Sequence, residues 1–311
     1  MTKLKNTVLV VILLVFSSCK TYNTFYGTTY TAHTFDTKSK RLDLSYQNLD
    51  IIPKGLSTLN ELKMLDISGN TDLDLNIVLQ SLPHPEKLEV LILDSLDLNS
   101  LPTNISSFKK LKQLSLAYNP NLNLKNTFAQ LDNTPLEFLN LKGNEIRQLP
   151  SNIIQLETLK DLNLSDNYLH DEESYNYLGK LPLLYSLWLD DNTLSQLPKT
   201  VGALKQITFF YVDNNQLTGL PEEISGMKNL NVIHLGFNKF TELPEQLIKV
   251  PNLFKVHINN NQVTTIPRSF RTEKHSIFAL LFDNNPIPEK EQKWAEKAFR
   301  NYRLLSFKQD Y

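Results

Sequence analysis

Four side chains in the C-terminal half have the chemistry of a reactive or metal-binding site. They are His234 and His257, and Asp190 and Asp213, each pair 23 residues apart. An imidazole beside a carboxylate can act as a general base, and two imidazoles with a carboxylate can hold zinc. Trp188 and Tyr211 precede His234 by steps of the same 23 residues and offer something else. Their large amphipathic faces are of the type that dominates binding hot spots. Cys19 is the only thiol in the 311 residues. The sequence has no Gly-rich phosphate loop, no His-Glu-x-x-His helix, no Gly-x-Ser-x-Gly elbow and no Cys-x-x-Cys pair. No nucleophile or oxyanion donor accompanies the histidines. The expectation is a non-catalytic protein with no cofactor and no bound metal, in which His234 and His257 stack or titrate at the surface.

Composition narrows the class. Apolar residues make up 41% and charged residues 21%, enough to bury a large core. The 32 basic and 33 acidic residues leave a net charge of -1, without the basic excess of a general nucleic-acid binder. The first residues read as a secretory signal. Lys3 and Lys5 are followed by an unbroken apolar run from Val8 to Phe16, then Ser17, Ser18 and Cys19. Nine apolar residues fall well short of the roughly 20 a membrane-spanning helix needs. A cysteine placed there resembles the lipobox of bacterial lipoproteins, with Phe16 standing where leucine is usual. That resemblance implies cleavage before Cys19, diacylation of its thiol, and membrane contact through this anchor alone. An ordinary signal peptide with an incidental cysteine is the alternative. Lys20 stands where, in enterobacterial lipoproteins, an aspartate favours inner-membrane retention, so the resemblance implies an outer-membrane lipoprotein of the cell envelope. With Cys19 lipidated, the mature chain has no second thiol and its fold rests on packing.

The elements that must position the histidines and aromatics are internal repeats. LKMLDISGN (62–70), LKQLSLAYN (111–119), LEFLNLKGN (136–144), LKDLNLSDN (159–167), LYSLWLDDN (184–192), LNVIHLGFN (230–238) and LFKVHINNN (253–261) share one pattern, and four weaker copies make eleven units. The unit ends fall at Gln47, Asn70, Leu96, Asn119, Asn144, Asn167, Asn192, Asn215, Asn238, Asn261 and Asn285, in steps of 23 to 26 residues. Within each unit alternate side chains point to opposite faces, as in a short strand. The asparagines read as scaffold whose amides satisfy turn backbone. Leu-Pro or Ile-Pro pairs such as Leu149-Pro150 and Leu197-Pro198 mark the turn to the outer face. Apolar residues then recur every third position, as in Ile153, Leu156 and Leu159, which suits a short helical turn. The longer units carry Leu75, Leu79 and Leu82, or Leu124, Phe128 and Leu131, at helical spacing.

This pattern resembles the leucine-rich-repeat family over about Arg41 to Ile287. The resemblance implies an α/β solenoid, with a curved parallel sheet on the concave face and short helical or 3-10 turns on the convex face. The expected organisation is a signal peptide over 1–18, a lipidated tether and N-terminal cap over 19–40, the repeat array over 41–287, and a C-terminal capping helix over 288–311. That helix is expected from Glu289 to about Leu305, with Trp294, Ala298, Tyr302 and Leu305 on one side.

Packing does not dictate the outward strand positions, so their chemistry is informative. The central outward column runs polar or small from Ser115 to Asn163 and then turns to Trp188, Tyr211, His234 and His257. Flanking columns add Phe138, Phe209, Asp190, Asp213 and Lys255, and Tyr118 and Phe237 fall at the turns. Exposed aromatics beside carboxylates suit a partner site, while stacking between neighbouring strands is the structural alternative. If they are hot spots, replacing Trp188 or Tyr211 by Ala is expected to weaken binding and leave melting nearly unchanged. The resemblance implies a membrane-anchored protein-binding module working through the concave face, with a cell-envelope or extracellular glycan receptor as the alternative.

Overall fold

The computed structural model describes residues 37–299 and 304–307. The expected signal segment, Cys19 and most of the expected tether lie outside the described residues. Within them, twelve three-residue strands form one parallel sheet in strict chain order. The strands are β1 (Arg41–Asp43), β2 (Met64–Asp66), β3 (Val90–Ile92), β4 (Gln113–Ser115), β5 (Phe138–Asn140), β6 (Asp161–Asn163), β7 (Ser186–Trp188), β8 (Phe209–Tyr211), β9 (Val232–His234), β10 (Lys255–His257), β11 (Ala279–Leu281) and β12 (Leu304–Ser306).

The middle residue of each strand from β1 to β11 points inward and is fully buried, as Leu65, Leu114, Leu187, Phe210 and Leu280 show. A second inward column follows one residue past the strand, through Leu44, Leu116, Leu189 and Phe282. One core therefore runs the length of the array, built from the two alternating inward positions that the sequence repeats.

Asparagine amides bind the turns together. The Nδ2 of Asn119 donates to the carbonyls of Leu93, Leu116 and Ala117, and its Oδ1 accepts from the backbone N–H of Leu96 and Leu98. Asn192 works the same way, donating to Leu164 and Asp190 and accepting from Leu169. Each amide thus satisfies buried backbone groups in its own turn and the preceding one. At Leu96 the pattern breaks, and a buried apolar side chain takes the place of the amide.

On the convex side, Pro53, Pro102, Pro150, Pro198, Pro221 and Pro244 each lead into a five-residue 3-10 turn. The longer units have room for α-helices at Leu75–Gln80, Leu124–Leu131 and Glu172–Leu178. Asp74, Asn123 and Asp171 cap them by accepting from first-turn N–H groups. Among the described residues, no helix is long and apolar enough to cross a membrane.

The turn after each strand needs a residue with positive φ. Most units use Gly, Asn, Asp or Ser there, but Tyr46, Tyr118 and Phe237 adopt it at φ 54, 56 and 52. A bulky L-residue in this conformation costs about 1–2 kcal/mol. In the following units the rings of Tyr46 and Tyr118 occupy the space that a Cβ on Gly69 and on Gly143 would need. Each ring and its glycine form one fitted pair.

The C-terminal end differs from the sequence expectation. The helix spans Glu289–Ala298 and stops well before Leu305, with Trp294 and Ala298 packed against the core. Leu305 instead lies in β12, a twelfth strand beyond the eleven repeats. The reason is periodicity: Leu305 and Phe307 are two apart, as in a strand, and both pack on the core. Phe307 stacks on Phe282 at 5.5 Å, and Phe282 N–H donates to the Ser306 carbonyl at 2.8 Å. The strand therefore covers the edge that β11 would otherwise leave open. Tyr302 lies outside the described residues.

Candidate functional site

The parallel register places Trp188, Tyr211, His234 and His257 side by side on β7 to β10. Their rings form a continuous stack. Trp188 and Tyr211 lie at 4.0 Å between centroids and 16° between planes, Tyr211 and His234 at 4.7 Å and 46°, and His234 and His257 at 3.9 Å and 20°. In-register neighbours on a flat sheet stand about 4.8 Å apart, so parallel rings in one column meet face to face.

Stacking alters the reading of the individual residues. Tyr211 is only 8% exposed and so is not the open aromatic the sequence suggested, being covered on both sides by Trp188 and His234. Trp188, His234 and His257 are half-buried. The His257 Nε2 is buried with no hydrogen-bond partner. Burial, then the nearby His234 and Lys255, hold the His257 pKa down to about 2, so its ring is neutral across the physiological range.

Carboxylates flank the stack. The indole N–H of Trp188 donates to Asp161 on β6 and to the Ser186 hydroxyl, both at 3.0 Å. Burial pushes the Asp161 carboxyl up to about 7. On the opposite flank, Asp190 accepts from the backbone N–H of Asp213 at 2.7 Å, and Asp213 accepts from that of Gly236. Asp190 is raised to about 7 by burial and by the neighbouring Asp213 charge. The second oxygen of Asp213 stands 3.4 Å from His234 Nδ1.

Phe209 joins this cluster through an edge contact with Tyr185, at 6.2 Å. Phe138 does not: it sits on β5, three strands before Phe209, or about 14 Å away by strand spacing. Asp161 and Tyr185 belong to the cluster and escaped the sequence reading. The signal for Asp161 was its column, since it occupies the same outward strand position as Phe138 and Phe209. Lys255, half-buried beside His257, has its pKa lowered by burial.

The two histidines cannot chelate one ion as they stand, because face-to-face rings aim their nitrogens parallel and not toward a shared point. Among the described residues, no group of three or more His, Cys, Asp or Glu is placed to hold a metal. The rim beside the N-terminal half of the sheet is different in kind. There an alternating ladder joins Lys63 to Glu89 at 2.7 Å, and Glu137 to Lys112 at 3.2 Å and Lys160 at 3.0 Å.

No family model matches the chain, and no curated protein matches it either. Solved structures are similar to it in shape. The Toll–Spatzle complex of Drosophila gives a TM-score of 0.68 at 20% identity, over 86% of this chain and 39% of that one. An internalin (inlF) of Listeria monocytogenes gives 0.59 at 18% identity, over 87% of this chain and 81% of that one. The fold is a leucine-rich-repeat solenoid. TLR13 in its complex with ssRNA13 shares it at a TM-score of 0.66 and 23% identity, over 87% of this chain and 38% of that one. The present leucine-rich-repeat chain thus spans well under half the length of the Toll and TLR13 chains. In a solenoid of this kind the outward strand positions are free of the core, and here they carry the ring stack.

Proposed function

We propose that the chain is a non-catalytic binding module that takes a protein partner on its concave face, centred on Trp188. The observation that carries this reading is the four-ring stack on β7 to β10, flanked by Asp161, Asp190 and Asp213. Its rings are fixed before any partner arrives. A preformed aromatic surface loses little side-chain freedom on binding, which favours affinity. The stack also stabilises the sheet, and the two roles are compatible because Trp188 remains half-open at its end. Carboxylates beside the rings favour a protein over a nucleic acid, whose phosphates they would repel. Two structural neighbours were solved as complexes, Toll with Spatzle and TLR13 with ssRNA13. A lipid on Cys19 would hold this module at the cell envelope, with the outer membrane as the expected site.

The test is capture from the native envelope by the full chain, run beside a Trp188→Ala variant confirmed to be folded by circular dichroism. A protein held by the parent and lost from the variant supports the reading. Equal capture by both sinks the concave assignment. Loss of capture on adding envelope oligosaccharides would move the assignment to a glycan receptor.

A further inference from the structure

Asp161 ties Trp188 to the sheet from inside. It is 8% exposed, and Ser186, its in-register neighbour on β7, is fully buried. The indole N–H of Trp188 and the Ser186 hydroxyl hydrogen-bond its carboxyl. Among the described residues no ion pair includes Asp161. Lys160, just before it in the chain, bonds Glu137 at 3.0 Å, and Lys112 bonds the same carboxylate at 3.2 Å. Its in-register neighbour on β5 is Phe138. On the β7 side Tyr185 precedes Ser186, and its phenol holds its proton more tightly through burial and then the charges of Asp161 and Glu137. Asp161 is therefore an acid set among rings and a hydroxyl, with the lysines of that rim already engaged.

A buried carboxyl without a cation keeps its proton to unusually high pH. Burial raises Asp161 to about 7, against the bonds from Trp188 and Ser186, which lower it. The indole bond and the ionisation are thus linked. If the N–H of Trp188 favours the carboxylate, the carboxylate must favour the bound indole to the same degree. A hydrogen bond to an ionised acceptor is roughly twice as strong as one to a neutral acceptor.

We propose that Asp161 is a proton-controlled latch on the concave binding face: as a carboxylate it fixes the Trp188 ring for the partner, and as the acid it lets the ring loosen. The position of Trp188 makes it the ring that such a latch can act on. It ends the stack, with Tyr211 on one face at 4.0 Å and the shorter Asn163 in register on the other side. Tyr211 and His234 are each held between two rings. Asp190 bonds the Asp213 N–H on the opposite flank, so the indole answers to Asp161. The inference rests on the binding role proposed above and adds its regulation. Affinity for the partner should rise with pH through neutrality, by roughly fivefold, the difference between a charged and a neutral hydrogen bond.

The experiment follows the two indole N–H resonances of the ¹⁵N-labelled full chain from pH 5 to pH 8.5. Trp294, which stacks with Arg268 at the C-terminal cap, is the internal control. The Trp188 resonance is expected to move through one transition near neutrality, and its ¹⁵N relaxation should report a more ordered ring at the alkaline end. In Asp161→Asn, whose amide oxygen is a neutral acceptor at every pH, Trp188 should stay in the loose state throughout. In Asp190→Asn the transition should persist. The reciprocal test is Trp188→Phe, which keeps a ring and removes the N–H. There the side-chain carboxyl carbon of Asp161 should titrate at higher pH than in the parent. A Trp188 transition that survives in Asp161→Asn, ring order unchanged across the range, or an Asp161 titration that Trp188→Phe leaves in place overturns the latch. Capture from the envelope at pH 6 and pH 8 separates this inference from the binding role. If Trp188→Ala abolishes capture but the ring does not respond to pH, the latch falls and the concave role stands. If the ring titrates through Asp161 while capture ignores both pH and Trp188→Ala, the concave role falls, and with it the latch as a regulator of binding.

Discussion

The indole N–H of Trp188 reaches back one strand to the carboxylate of Asp161, 3.0 Å away. A surface aromatic is thus tied into the sheet by a buried acid, and its removal has two consequences. Trp188→Ala should weaken partner binding by about 2 kcal/mol or more, the scale of a hot spot. It should also cost about 1–2 kcal/mol of stability, because Asp161 loses a donor and Tyr211 a stacking partner. Tyr211→Ala, at a position buried on both sides, should cost about 3 kcal/mol in stability. Urea unfolding of both variants checks this. Melting unchanged from the parent, as outward-facing side chains alone would suggest, would show that the stack is not structural.

Asp161 and Asp190 make stability depend on pH. Both carboxyls are raised to about 7 in the folded chain, while the unfolded value is about 3.9. Between those values the folded chain keeps protons that the unfolded chain releases. Their contribution is therefore full at the acid end and is lost as pH rises toward 7. Asp161→Asn/Asp190→Asn should flatten the melting temperature between about pH 4 and pH 7 relative to the parent. A variant whose profile is as steep as the parent's would contradict the assignment.

His257 acts in the opposite sense. Its imidazole stays neutral down to about 2 when folded, yet takes up a proton near pH 6.5 when unfolded. Stability is therefore lost as pH falls below the unfolded value. His257→Phe keeps a ring in the stack and removes the unpaired Nε2. Its unfolding free energy should gain on the parent's as pH drops from about 7 to 5, by at most about 1.4 kcal/mol per pH unit. Calorimetry at three pH values decides it, and a difference independent of pH would count against a neutral buried ring.

The asparagine ladder predicts large, local costs. Asn192→Ala removes donors to Leu164 and Asp190 and the acceptor for Leu169. About 1–3 kcal/mol should be lost, from backbone groups left unsatisfied. Hydrogen exchange should show new opening at Leu169, and protection unchanged there would argue that water replaces the amide.

Sequence carries those parts of the molecule whose role recurs at the same position in every unit. Leu65, Leu114 and Leu187 were legible as core because the same inward position recurs at each unit. The asparagines were legible as scaffold because they mark the same turn each time. Tyr211 was legible as outward-facing but not as covered, since its burial depends on ring faces from two other strands. Asp161 became part of the site only through a bond across strands to Trp188. Leu305 was misplaced because one apolar spacing, taken without its neighbours, fits a helix as readily as the strand it joins.

Tyr46 over Gly69 and Tyr118 over Gly143 bear on how the array can change. In each case a residue in one unit presupposes the absence of a side chain in the next. Adding a methyl at Gly143 clashes while Tyr118 stays, and removing Tyr118 uncovers the glycine backbone. The two sites should therefore be inherited together, and units are not freely interchangeable along the chain. A unit duplicated or shuffled alone would carry half of a matched pair into a place where the other half is missing.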